Sequence, residues 1–172
     1  LLYNNDAASL IEDAIGGLGN DTLMGNQVSN LLAGGAGIDL VSFADAASVS
    51  INLGSSGNAE ATTSQGTDTL SGVENIIGTS GNDSIAGNMA VDESFSGGAG
   101  DDTLIAAGAG NNSLDGGADN DVLSGGAGND TLVGGAGDDS LLGSGGNDWV
   151  IFGGAAGVTV ALATDMCPGC WL

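Results

Sequence analysis

No lysine, arginine or histidine occurs anywhere in the 172 residues, against 22 aspartates and glutamates, so a formal charge of −22 has no internal counter-ion. That absence excludes several functions at once. A chain without basic groups cannot track phosphates, so no nucleic acid is expected as a partner, and an anionic membrane surface would repel it. General-base histidine, Schiff-base lysine and guanidinium anion clamps are unavailable too. Aromatic residues make up 3%, and there is one proline. Large side chains therefore cannot fill a conventional layered core, and any core must be thin and repetitive. No apolar run approaches the roughly 18 residues that would span a bilayer, so no membrane insertion is expected. The opening LLYNNDAASL lacks a basic region and a cleavage site, so any targeting signal is expected outside the chain. Acidity of this kind often accompanies disorder, but 41% hydrophobic residues and a mean hydropathy of +0.21 weigh against it. The charge must be neutralised from outside, and inorganic cations are the natural candidates.

What the chain has in abundance is glycine, 34 residues, recurring in a nonapeptide rhythm. Close copies of G-G-x-G-x-D-x-U-x, where U is a large aliphatic residue, begin at Gly16, Gly34, Gly97, Gly125 and Gly134, and looser ones at Gly25, Gly78, Gly116 and Gly143. Copies one residue longer begin at Gly87 and Ala106. Each position has a physical reason. The closing residues, such as Asp21-Thr22-Leu23-Met24, read as a short strand whose alternation turns the leucine inward. Leu23, Leu32, Val41, Ile85, Phe95, Leu104, Leu114, Leu123, Leu132, Leu141 and Val150 are thus expected to stack as aliphatic ladders. The glycines open each unit because the chain reverses tightly there, through φ > 0 conformations that expose carbonyls. Strands stacked about 4.8 Å apart bring loop aspartates of successive coils together, and two bare carboxylates at that spacing repel by about 3 kcal/mol at an effective dielectric near 20.

This pattern resembles the RTX, or haemolysin-type calcium-binding, repeat, and the likeness covers most of the chain. The resemblance implies an all-β fold, a parallel β-roll or β-solenoid with two repeats per coil, interrupted by an inserted strand-loop segment. With two repeats per coil, Asp21 meets Asp39, Asn112 meets Asp130, Asp121 meets Asp139 and Asp130 meets Asp148, each pair separated by two nonapeptides. Asp83 and Asp102, and Asp102 and Asp121, stand one residue further apart, the extra residue being absorbed in a loop. The expected metal ligands are Asp21, Asn30, Asp39, Asp83, Asp92, Asp102, Asn112, Asp121, Asp130, Asp139 and Asp148. Backbone carbonyls near Gly17, Gly19, Gly35, Gly37, Gly98, Gly100, Gly117, Gly126, Gly128, Gly135, Gly137 and Gly146 complete the set. Several calcium ions are the expected cofactor, since calcium accepts six to eight oxygens in flexible geometry whereas magnesium holds its water. Asn30 and Asn112 add no charge, so calcium is expected to bind more weakly beside them. Binding and folding should be one event.

The rhythm divides the chain into repeats at 16–42 and 78–151, an insertion at 43–77, and two half-insertions, 1–15 and 152–172. Within the insertion FADAASVSINL reads as a strand, and Val73, Ile76 and Ile77 are expected to cap the apolar ladder. The insertion reads either as a surface excursion or as a contact with a neighbour. Its beginning is copied at the C-terminal end, where Asp39, Val41, Phe43, Ala46, Ala47, Val49, Ile51 and Leu53 recur at unchanged spacing as Asp148, Val150, Phe152, Ala155, Ala156, Val158, Val160 and Leu162. Its close is copied at the N-terminal end, where Ile11, Glu12, Asp13 and Ile15 match Val73, Glu74, Asn75 and Ile77. One chain's tail followed by another's head would rebuild an insertion, which suggests head-to-tail stacking through Leu1, Leu2, Tyr3, Ile11, Phe152, Val158, Val160, Leu162, Trp171 and Leu172. The same features suit a segment excised from a longer repeat protein. Cys167 and Cys170, in CPGC, read as a structural disulfide, with free thiols and pairing between chains left open.

Two functions follow as expectations. One is an extracellular, secreted, calcium-binding structural protein whose subunits stack into a fibre or matrix. The other is the calcium-dependent secretion and folding module of a larger toxin, hydrolase or adhesin exported by a type I system. Catalysis is expected of neither, because the carboxylates lie in repeated loops rather than in a pocket that separates their pKa values.

Overall fold

The computed structural model describes residues 13–26, 28–54, 58–88 and 91–153, and the backbone of 157–161. Every regular element among them is a strand. They run β1 (Asp13–Gly17), β2 (Thr22–Met24), β3 (Leu31–Gly35), β4 (Leu40–Ser42), β5 (Val49–Asn52), β6 (Asn58–Thr63), β7 (Thr67–Ser71), β8 (Asn75–Ile77) and β9 (Ser84–Ala86). There follow β10 (Ser94–Ala99), β11 (Thr103–Ile105), β12 (Ser113–Ala118), β13 (Val122–Ser124), β14 (Thr131–Ala136), β15 (Asp138–Leu142), β16 (Trp149–Ile151) and β17 (Gly157–Ala161). Among the described residues no helix is long and apolar enough to cross a membrane.

Successive strands of the repeats alternate between two sheets, which is what a nonapeptide unit with one short strand and one tight turn produces. The seven-stranded sheet runs β16-β14-β12-β10-β8-β4-β2 and is parallel throughout. The ten-stranded sheet runs β1-β3-β7-β6-β5-β9-β11-β13-β15-β17. Register advances two nonapeptides per coil, as in Leu123↔Leu141, or one residue more where a turn is longer, as in Leu104↔Leu123. The fold is therefore the parallel β-solenoid, two repeats to a coil, that the repeat implies.

The core is a single file of side chains per sheet. Leu32, Val41, Leu70, Ile76, Ile85, Phe95, Leu104, Leu114, Leu123, Leu132 and Leu141 are almost wholly buried, and Leu23 nearly so, while Val150 at the end is half-buried. Parallel register lays each aliphatic residue on its like in the next coil, so the ladder is continuous where a mixed sequence would leave gaps.

The insertion is built into the ten-stranded sheet. Strand β5 pairs in parallel with β9, β6 runs antiparallel to β5 and β7, and β7 returns to pair in parallel with β3. Ala59, Ala61, Val49 and Ile51 are buried, with Ala61 facing Ile51 across this hairpin. Val73 is buried in the core, and Ile76 does not cap the ladder. Ile76 lies between Val41 and Phe95 in the middle of the seven-stranded sheet, and Ile77 points outward because the period of two gives one inward residue per short strand.

Truncating a central rung should cost more than its area alone suggests, because both neighbours lose contact. Leu123→Ala is expected to lower the stability of the calcium-saturated chain by about 2–5 kcal/mol in a denaturant titration. Val122→Ala, on the outer face, should change it by less than about 0.5 kcal/mol.

Candidate metal-binding turns

The turns form two columns, one on each side of the solenoid. On one side the residue just before each strand of the seven-stranded sheet is Asp21, Asp39, Glu74, Glu93, Asn112, Asp130 and Asp148. On the other, at the start of parallel strands of the ten-stranded sheet, it is Asn30, Asp68, Asp83, Asp102, Asp121 and Asp139. The residue reaches inward from the turn to the coil before it. Its side-chain oxygen accepts the backbone N–H of its counterpart there, at 2.7–3.0 Å. The donors and acceptors are Asp21 to Asp39, Asn30 to Asp68, Asp83 to Asp102, Asp102 to Asp121, Asp121 to Asp139, Asn112 to Asp130 and Asp130 to Asp148. The next coil also donates to the counterpart's carbonyl, as Val122 N–H does to Asp102 O at 2.9 Å. Each turn is thus fixed to its neighbour by two bonds before any ion is considered.

The second carboxylate oxygen is different. Oδ2 of Asp39, Asp102, Asp121, Asp130 and Asp139 and Oε2 of Glu93 are buried and meet no hydrogen-bond donor. They point at the first glycine of their own unit. A Cβ built on Gly97 would collide with both Asp102 Oδ2 and the Gly116 carbonyl oxygen, and one on Gly116 with Asp121 Oδ2 and the Gly134 carbonyl oxygen. Glycine is needed there because two oxygens already occupy the space. Unpaired buried carboxylates cost several kcal/mol each, and this chain has no basic side chain to offset them. Carboxylate and carbonyl oxygens converging with no proton between them are a donor set for a hard cation, and calcium fits it. Among the described residues no three Asp, Glu, Cys or His side chains converge, so an ion here would draw its other ligands from the backbone.

Burial dominates the acid strengths. Desolvation raises Asp121 and Glu93 to about 7 and Asp102 to about 6, against a smaller lowering by the backbone N–H each accepts. Asp68 and Asp130 are raised for the same reason. The Asp83 carboxylate accepts both the N–H and the hydroxyl of Thr79, at 2.6 and 2.9 Å.

The expected ligands distribute unevenly. Asp92 is exposed and stands outside the inner row, because the extra residue of the turn at 87–93 moves the inward position to Glu93. Glu74, Glu93 and Asp68 were not expected. Each lies two residues before a buried apolar residue, Ile76, Phe95 and Leu70, the same acid-x-aliphatic spacing as Asp21 to Leu23, and that signal would have found them. Of the glycines, Gly35, Gly37, Gly98, Gly100, Gly117, Gly126, Gly135, Gly137 and Gly146 have positive φ, while Gly17, Gly19 and Gly128 do not. The Gly17 carbonyl accepts Ala36 N–H at 2.9 Å. Val158 and Val160 lie on β17, whose side chains there are not described, and Leu1, Leu2, Tyr3, Ile11, Leu162, Cys167, Cys170, Trp171 and Leu172 lie outside the described residues.

A second, outer row was also missed. The residue just ahead of the inner acid accepts from the following coil, at 2.7–3.1 Å. On one flank Asn20 accepts from Ile38, and on the other Asn82 accepts from Asp101, Asp101 from Asn120, and Asn120 from Asp138. Asp92 accepts from Asn111, Asn111 from Asn129 and Asn129 from Asn147, on the flank of Asn20. Inner side chains reach back and outer ones reach forward, so each coil is stitched in both directions.

Acid-lined turns on both flanks of a buried aliphatic file define a parallel β-roll. The family model for the RTX calcium-binding nonapeptide repeat matches in four copies, at residues 11–41, 68–104, 96–132 and 124–157. The chain belongs to this family and is a calcium-binding repeat module. The stretch 42–67, which holds the β5–β6 hairpin, falls between the matched copies. Among curated proteins, none matches the chain.

The raised acids set the sign of the pH dependence without metal. An acid whose folded pKa exceeds the ordinary carboxylate value near 4 keeps its proton in the folded state, so stability is present below about pH 4 and is lost as pH rises through 6 to 7. Circular dichroism in chelator should show more strand at pH 5 than at pH 8. A flat or rising profile would contradict the placement of these carboxylates.

Proposed function

We propose that this chain is an extracellular, non-catalytic structural module whose coils continue end to end, so that calcium-loaded chains stack head to tail into a fibre or matrix. One comparison carries the reading. Phe43 and Phe152 occupy the same place in two copies of one sequence, yet Phe43 is 5% exposed and Phe152 is 56% exposed. Phe43 is covered because another coil follows it, its N–H bonding to Ile77 O at 2.9 Å. Phe152 has the sequence of a covered residue, and no coil among the described residues follows it.

The rest of the apolar surface supports this. Among the described residues, the large apolar side chains exposed by more than half are Ile15, Leu18, Met24, Ile38, Trp149 and Phe152, all in the first two coils or at the last. The described outer strands, β1 and β2 at one end and β17 and β16 at the other, offer parallel edges that add further strands. A heterologous contact of this kind does not close and so propagates. An extracellular setting would supply the calcium, because extracellular calcium-binding modules are tuned to roughly 10⁻⁴–10⁻³ M. The unpaired carboxylates also suit the competing reading, a module that is exported unfolded and folds on meeting calcium as part of a larger secreted protein.

Adding calcium to purified chain should give polymers visible by electron microscopy and sedimentation, reversed by chelator. Phe152→Asp should abolish polymers while leaving calcium uptake intact. A wild-type chain that takes up calcium yet sediments as a monomer would favour the secretion module instead.

A further inference from the structure

The turn at 87–93 departs from the nonapeptide pattern by one residue and by the identity of its acid. Glu93 is 3% exposed, and its Oε1 accepts the Asn88 N–H in a short contact. Both carboxylate oxygens crowd the α-carbon of Gly87, where a Cβ would overlap them, and Oε2 meets no donor. The base of the side chain is fixed, its own N–H donating to Asn112 Oδ1 at 3.0 Å and its carbonyl accepting Ser113 N–H at 2.9 Å. The longer arm of glutamate offsets the longer turn. In nonapeptide turns the acid reaches an N–H four positions back, as Asp21 does at Gly17, and here it reaches one five positions back.

Its neighbour raises the demand for a cation. The register Ser94↔Asn75 sets Glu93 beside Glu74 at strand spacing. Elsewhere in this column the preceding residue's N–H caps the carboxylate, but the Glu74 N–H turns to Asp39 O at 3.3 Å. Glu93 therefore faces a second carboxylate without the bond its counterparts receive.

We propose that Glu93, beside Gly87 and Asn88 and with Glu74 lending charge, builds a divalent-cation site separate from the aspartate-based nonapeptide sites and not using Asp92. It rests on the chain binding calcium at all, and the test separates the two. Ion counts on the calcium-saturated chain, by native mass spectrometry, should fall by one in Glu93→Gln and stay unchanged in Asp92→Asn, which removes an equal charge one residue away. Glu93→Asp, too short to span the turn, should weaken one ion at least tenfold in a competition titration. A full count in Glu93→Gln, or a loss in Asp92→Asn, overturns the proposal. If Glu93→Gln does not fold, an unweakened Glu93→Asp overturns it. Absence of calcium from the wild-type chain would sink the reading of the whole protein instead.

A different observation marks the next turn in the same column. Asn112 is 3% exposed, and its Nδ2 donates to Gly110 O at 3.0 Å, Gly125 O at 2.9 Å and Asp130 Oδ1 at 3.1 Å. The Glu93 N–H on Oδ1 fixes which end of the amide is nitrogen. Three oxygens converge on an N–H₂ group as they would on an ion, and the two cannot share the place. The geometry points to Asn112 as a tethered substitute for the cation, so that this rung holds without calcium and divides the column. Asn112→Asp keeps the Oδ1 acceptor and should bind one ion more than wild type, with less strand in chelator. In the wild-type chain the Asn112 side-chain N–H₂ signals should stay slowly exchanging and unshifted at calcium saturation. An unchanged count in Asn112→Asp, or displaced N–H₂ signals in wild type, overturns it.

Discussion

Everything in this solenoid depends on stacking like charges at the spacing of a β-ladder. Parallel pairing fixes successive coils about 4.8 Å apart, and the turn geometry sets an acid at nearly every step on both flanks. At Asp39, Asp102 and Asp121 the bond that fixes the acid, its first oxygen on the preceding coil's N–H, leaves the second oxygen buried and beside a carbonyl. A pure hydrophobic collapse of the aliphatic file would bring these oxygens together without any group to neutralise them. The core and the turns therefore oppose each other wherever these acids are charged, and a bound cation would relieve that conflict.

The glycines follow from the same constraint. Gly97 and Gly116 lack a side chain because a carboxylate and a carbonyl oxygen already fill the space that a Cβ would take. The outer row of asparagine and aspartate stabilises coils in the opposite sense, reaching forward where the inner row reaches back, and it needs no ion. One molecule thus combines an inner row of buried acids with an outer row of exposed side chains, both bonding from coil to coil. The Asn112 and Thr79 turns are intermediate, since a side-chain donor there does part of what an ion does elsewhere.

The period of nine was enough to give the inward leucines, while the two-sheet roll and the partners of Asp21, Asp102, Asp121 and Asp130 came from the resemblance to RTX repeats, which implies two repeats per coil. What counting missed arose where the count slips. The extra residue in the turn at 87–93 moved the inward place from Asp92 to Glu93, and only the distance to Phe95 carries that information. The insertion looked like an excursion because its rhythm stops. Its small and β-branched residues instead built an antiparallel hairpin into the sheet, and long-range pairing of that kind, β7 on β3 and β5 on β9, has no local signature. The outer row went unseen because asparagine beside the aspartate read as repeat consensus rather than as a hydrogen-bonding position.

The account stands on folding and ion uptake being one event. A calcium titration of the chelated chain at pH 8 tests it most directly, with strand content followed by circular dichroism and bound calcium counted in parallel. The two curves should rise together from a largely unfolded start. Full strand content in chelator, unchanged as calcium is added, would contradict it.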